Sequence, residues 1–148
     1  MQYVLDVQHL VKSYGKQKAL YDITFSVRPG TCFGLLGPNG AGKSTTMKIL
    51  ASIVEADGGT AKVFGMDVVK QRHTIRRKVG YVPQAITLYE KLSARDNLTF
   101  FGEMYGLHGK LLKQRISEVL QLVGLANKAK HAVRTFSGGM KRRINIAA

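Results

Sequence analysis

The stretch GPNGAGKST, residues 37–45, limits what this chain can fold into more than any other part of it. It fits G-x-x-x-x-G-K-[ST] and stands between two segments of opposite character. TCFGLLG before it is short, apolar and glycine-terminated, which predicts a buried strand. GKSTTMKILASIV after it carries Met47, Ile49, Leu50, Ile53 and Val54 at helical spacing, up to the breaker Ala56-Asp57-Gly58-Gly59. A strand, a glycine loop and a helix in that order make a phosphate cradle. Glycines let backbone N–H groups turn inward, and the helix start adds its dipole. The cradle comprises Gly37, Pro38, Asn39, Gly40, Ala41, Gly42, Lys43 and Ser44. Lys43 reaches the β- and γ-phosphates, and the Ser44 hydroxyl ligates Mg²⁺. Thr45 either touches phosphate or only supports the helix start.

Around this centre the elements are legible. YVLDVQHLVKSYG predicts a strand turning at Gly15, and ALYDITFSVRPG a second, with Leu20, Ile23, Phe25 and Val27 alternating with polar residues. TAKVFG and VGYVPQ predict two more short strands. From Ser93 the pattern turns helical. SARD offers Ser93 as a cap with an acid three residues on, and Leu98, Phe101 and Tyr105 follow as a core-facing stripe up to Gly106. KLLKQRISEVLQLVGL puts Leu112, Ile116, Val119, Leu120 and Val123 on one face before Gly124. The expected division is 1–86 for the strand-rich core and 87–148 for a helical part.

Composition narrows the class. Forty-five per cent hydrophobic residues in 148 describe a folded globular chain, and no apolar run approaches the ~20 residues that span a bilayer. The N-terminus lacks a signal-peptide pattern. The single cysteine, Cys32, sits in TCFGLLG and is expected to be a buried thiol in a reducing compartment. The formal charge of +14 points to an anionic partner or to acids supplied elsewhere. RHTIRRK, residues 72–78, is the densest basic run and reads as a solvated face. TFSGGMKRRINIAA closes the chain with a helix start whose Lys141, Arg142 and Arg143 oppose the dipole. Its Ile144, Ile146, Ala147 and Ala148 read as entering a core.

GPNGAGKST, then YVPQ, then FSGGMKRR resemble, in order and spacing, the nucleotide-binding subunit of an ATP-binding cassette (ABC) transporter, over essentially the whole chain. The resemblance implies ATP and Mg²⁺ as cofactors. It assigns Tyr14 to stacking on adenine, where a planar base finds a π-face. Gln84 corresponds to the glutamine that reaches Mg²⁺ or orients water beside catalytic Lys43. Ser137, Gly138 and Gly139 correspond to the signature that closes, in trans, over ATP held by a second nucleotide-binding subunit in a head-to-tail dimer. Met140 stands where most members carry Gln. Met followed by Lys-Arg-Arg, with LYEKLSARDNLTFFGEMYGL, resembles the exporter branch for drugs, antibiotics or lipid-linked molecules. The implied protein is peripheral on the cytoplasmic face of the cell membrane, bound to a transmembrane permease.

The resemblance also implies what is missing. The family's Mg²⁺-anchoring Asp and general-base Glu follow the signature helix, yet no Asp or Glu stands after Glu118, and His131 does not match the switch histidine. The expectation is an α/β phosphate-loop ATPase core with an antiparallel β flank, a helical subdomain and an incomplete parallel sheet: a truncated ABC ATPase, binding ATP at best and hydrolysis-incompetent alone. Two other readings stay open: a non-hydrolytic ATP-binding remnant, and a soluble relative acting on nucleic acid or ribosomes. Against the latter, the long coiled-coil insertion of DNA-acting relatives is absent.

Overall fold

In the computed structural model, which describes residues 2–148, the alternating apolar residues of the first two predicted strands build a hairpin. β1 (Leu5–Tyr14) and β2 (Gln17–Val27) pair antiparallel from Leu5↔Val27 to Tyr14↔Gln17. β3 (Gly58–Val63) joins the free side of β1, and a two-residue β4 (Met66–Asp67), which the sequence pattern had not indicated, completes the order β2-β1-β3-β4. One face of this sheet carries Val7, Leu10, Leu20, Ala61 and Val63, and against it pack Ile49 and Leu50 from α1 (Lys43–Leu50) and Ile75 from α2 (Arg72–Arg76). Fully buried side chains of this size contribute about 1.5–3 kcal/mol each, so this cluster is what holds α1 in place. The β1–β3 register shifts between Gln8 and Val11, where His9 takes φ 51°. Gly59 fits that bulge because a Cβ there would lie 2.2 Å from the His9 carbonyl oxygen.

Several expectations fail in this unit, Met1–Tyr81, and at its edge. Neither TCFGLLG nor VGYVPQ is a strand; the described residues contain antiparallel ladders only. A buried parallel strand needs ladder partners on both sides, and these segments have none among the described residues. Leu36 is accordingly 92% exposed, and Cys32 is exposed, not buried. Phe33 stacks its ring on Phe25 at 5.1 Å. An apolar hollow of about 320 Å³ lies beside it, walled by Met47, Leu50, Val79 and Tyr81. Helix α1 also stops earlier than its apolar spacing suggests. Ser52 adopts φ 56°, its N–H bonds the Ile49 carbonyl, and the Ile53 N–H reaches back to that of Lys48. That is the reversed-turn cap usually built on glycine, and it turns Ile53 outward.

The second unit, Val82–Ala148, is helical. α3 (Ala94–Met104) starts at Ser93, whose Oγ accepts the Asp96 N–H at 3.1 Å and donates to the Asp96 carboxylate at 2.6 Å. α4 (Gly109–Leu122) buries Leu112, Ile116 and Leu120, the expected stripe. Gly106 and Gly124 follow α3 and α4 at φ 80° and 66° and close each helix with the same cap that ends α1. α5 (Gly138–Ala147) adds Ile144, and Leu125, Val133 and Phe136 complete the core. The predicted stripes run too far at both ends. Tyr105 is 70% exposed because α3 has already ended at Met104. Ile146 and Ala148 are exposed, so of the last four apolar residues only Ile144 is fully buried and Ala147 packs at the rim.

Candidate functional site

The phosphate loop is shaped by its glycines and then tied by its lysine. Gly42 is the residue before α1, at φ 81°, and no side chain caps the helix. Its lack of a Cβ is required twice: by that φ, and because a Cβ would stand 2.3 Å from Leu20 Cδ2 and 2.6 Å from the Ala19 carbonyl oxygen. The loop therefore sits directly on β2. Lys43 Nζ donates to the carbonyls of Gly37 and Pro38, both at 2.6 Å, and the Ala41 N–H to Pro38 at 3.2 Å. Thr46 is buried and bonds the Gly42 carbonyl through both its N–H (2.8 Å) and its hydroxyl (3.0 Å). Pro38, Asn39, Gly40, Ala41 and Ser44 are exposed, and Thr45 is half-buried.

The result is an exposed loop with an uncapped helix start, an ammonium tied to two loop carbonyls, and no acid in the first helical turn. Such a helix start binds anions. Ser44, with an exposed hydroxyl, supplies a hard oxygen donor of the type Mg²⁺ takes beside phosphate oxygens. Among the described residues no cluster of three or more His, Cys, Asp or Glu could hold a metal unaided, so a metal here would lean on its ligand's oxygens.

Tyr14 closes β1 in the same unit and is 48% exposed. Leu20, cross-strand partner of Lys12, is the side chain under Gly42, so the strand bearing Tyr14 is joined to the loop through one residue. Asp57 ends the β1–β3 ladder with its side chain. Its carboxylate takes Lys12 Nζ and the Ser13 N–H, both at 2.6 Å, and its own N–H donates to Val11 at 2.9 Å. The Lys12 hydrogen bond, with that from Ser13, holds the Asp57 carboxyl below the usual range.

In the second unit Gln84 is exposed, and the chain after it is pinned to α5 by residues that sequence reasoning missed. Asn145, buried on α5, accepts from the Thr87 N–H (3.1 Å) and hydroxyl (3.0 Å). Arg142 Nη1 donates to the carbonyls of Pro83 (2.5 Å) and Gln84 (3.5 Å). Asn97, fully buried, bonds Tyr89 and Ser93. A lone Asn inside the apolar INIAA was the available signal for Asn145. Ser137 caps α5 by accepting the Met140 N–H at 3.3 Å, and Gly138 and Gly139 lie exposed in its first turn. Gln84 and the signature residues thus share one hydrogen-bonded assembly, while Lys43, Ser44 and Tyr14 belong to the first unit. His131 is exposed.

Comparison with known proteins adds what geometry leaves open. The model of the family described as "ABC transporter" matches residues 20–148. The chain is 49% identical over 146 residues to the linearmycin resistance ATP-binding protein LnrL of Bacillus subtilis, covering 98% of this chain and 47% of that protein. It is 38% identical to the daunorubicin/doxorubicin resistance ATP-binding protein DrrA of Streptomyces peucetius, covering 97% and 44%. A solved structure described as an ATP binding subunit of an ABC transporter superposes with a TM-score of 0.80 at 32% identity, over 98% of this chain and 61% of that one. The chain spans less than half the length of these two relatives.

Proposed function

From the premise that this chain belongs to the ABC transporter family, we propose that it is the ATP-binding part of an exporter's nucleotide-binding subunit. The observation that carries the reading is the phosphate loop: an uncapped helix start at Gly42 with the Lys43 ammonium held inside the loop by two carbonyls. An incoming triphosphate offers that ammonium stronger, charge-assisted acceptors. Lys43 then exchanges the Gly37 and Pro38 carbonyls for phosphate oxygens, and the amides of the loop and first turn surround them. Tyr14 offers its ring to adenine. Ser44 and Gln84 are the residues that would hold Mg²⁺, which would supply neutralisation of phosphate charge.

The drug-resistance names of the relatives support export as the direction, and the family supports a head-to-tail partner subunit and a membrane-embedded permease. No described helix is long and apolar enough to cross a membrane, which fits a subunit that works at the membrane's inner face through that permease. Ser137, Gly138 and Gly139 are the candidates to meet the partner's ATP. Hydrolysis belongs to the proposal for a protein of the relatives' length, since residues 119–148 hold no carboxylate side chain.

Calorimetric titration of the chain with Mg-ATP tests the reading. Binding is expected, and Lys43→Ala is expected to abolish it; an unchanged affinity in that variant refutes the phosphate role. Turnover measured on this chain and on one of the relatives' length separates an ATPase from a binding module.

A further inference from the structure

We propose that Lys12, fixed by Asp57, is a positioning residue that makes Tyr14 a one-sided platform for the nucleotide base. The inference rests on the adenine reading of Tyr14 given above and adds how that ring is held. Lys12 and Tyr14 are two apart on β1 and so share a face of the strand. Lys12 Nζ lies over the Tyr14 ring, 5.6 Å from its centroid, within cation–π range. The ring nevertheless remains 48% exposed. With a cation on one face, its other face is the one offered to a planar ligand.

A lysine is a mobile partner unless something fixes its end. Here Asp57 does so. The Lys12 side chain is 15% exposed, and Nζ is 2.6 Å from Asp57 Oδ1. The second carboxylate oxygen takes the Ser13 N–H, and the Asp57 N–H bonds Val11. The carboxylate thereby replaces a strand neighbour where the β1–β3 ladder has ended at Val11↔Gly58. The ammonium keeps a fixed place beneath the ring, and Lys12's cross-strand partner Leu20 keeps that place in register with Gly42.

The physical effect follows from the ring's quadrupole. Two π faces repel where both are electron-rich. A cation beneath tyrosine draws electron density toward itself and weakens that repulsion on the opposite face. The Lys12–Tyr14 contact is present with and without ligand, so only its effect on stacking changes affinity, and the contact's own energy caps that at about fivefold.

The experiment compares Mg-ATP with Mg-tripolyphosphate, which lacks base and ribose, by calorimetry on the full chain. Tyr14→Ala, Lys12→Met, Lys12→Arg and Asp57→Asn are each checked for native circular dichroism. Lys12→Met is expected to weaken ATP binding by up to about fivefold and leave tripolyphosphate binding as it was, with Lys12→Arg retaining ATP affinity. Asp57→Asn should reproduce the Lys12→Met pattern in part. If Tyr14→Ala weakens ATP while Lys12→Met does not, the inference falls and the adenine reading stands. Equal weakening of both ligands by Lys12→Met also overturns it, since that is damage to the strand. If Tyr14→Ala leaves ATP affinity unchanged, the adenine reading itself falls, and the inference with it. Should Lys12→Met not fold, the arginine and asparagine variants carry the same comparison.

Discussion

Two glycines of the phosphate loop share a backbone conformation and differ in what surrounds them, and this gives a test that needs no ligand. Gly40 has φ 85° and nothing within 4 Å of where a Cβ would go. Gly42 has φ 81°, but its Cβ would meet Leu20 Cδ2 at 2.3 Å and the Ala19 carbonyl oxygen at 2.6 Å. Alanine at either position pays the left-handed penalty, roughly 1–2 kcal/mol. Only at Gly42 does the new methyl collide. Leu20 is 1% exposed and part of the sheet core, and Ala19 contributes strand backbone, so neither can step aside cheaply. Overpacking of this kind costs roughly 1–3 kcal/mol more. Gly40→Ala should therefore lower stability by about 1–2 kcal/mol, and Gly42→Ala by about 2–5 kcal/mol. The unit-specific readout is native-state hydrogen exchange of β1 amides in increasing urea. If Gly42→Ala costs no more than Gly40→Ala, the close seating of the loop on β2 is refuted.

Two further perturbations probe the parts that hold the loop and α3 in place. Asn97→Ala removes three hydrogen bonds, but the Tyr89 and Ser93 carbonyls keep other donors, Leu92 and Asn97 N–H. Only the Tyr89 N–H is orphaned, so the expected loss is about 1–3 kcal/mol plus a small cavity term, read from amide exchange in α3; a change within about 0.5 kcal/mol would contradict the bonding described. Asp57 has a depressed carboxyl, its Lys12 and Ser13 hydrogen bonds favouring the charged form. Its stabilisation is complete above the unfolded aspartate value of about 4 and is lost as pH falls through the lower folded value. Asp57→Asn should remove that component, giving a flatter acid limb below about pH 4 in a urea-midpoint titration against pH; an unaltered limb refutes it.

What could be read from the residues alone was local. The hairpin alternation of Leu20 to Val27, the serine cap at Ser93, the glycine stops at Gly106 and Gly124 and the stripe on α4 each depend on neighbours within a few positions, and each is present. Most of the errors concern segments whose state is decided by something distant in sequence, and one is a local cap without its usual residue. TCFGLLG is apolar enough for a central strand, yet a strand exists only with ladder partners, and Phe33 has a stacked ring instead. Cys32 follows the same segment outward. Ser52 ends α1 in a conformation glycine usually takes, so no glycine marks the stop. Within the site, the loop was legible because its chemistry is written in one continuous stretch. Asp57 and Lys12, or Arg142 and Pro83, were not, because each pair joins residues 45 or 59 apart.

The cations after the signature show how far local electrostatics reaches. By dipole alone, Lys141, Arg142 and Arg143 are unfavourable near the start of α5, which calls for a compensating negative charge. The structure supplies an acceptor for each. Lys141 pairs with Glu90, Arg142 takes the Pro83 and Gln84 carbonyls, and Arg143 takes the carbonyl of Val123 at the end of α4 at 2.7 Å. Val123 offers the partial negative charge of a helix C-terminus, so Arg143 gains from one dipole what it loses to another. None of these partners is Ser137, Gly138 or Gly139. Gly138 and Gly139 are exposed, with nothing within 4 Å of where a Cβ would stand. Lys141 and Arg142 thereby fix α5 against the segment that carries Gln84, and Arg143 fixes it against the end of α4.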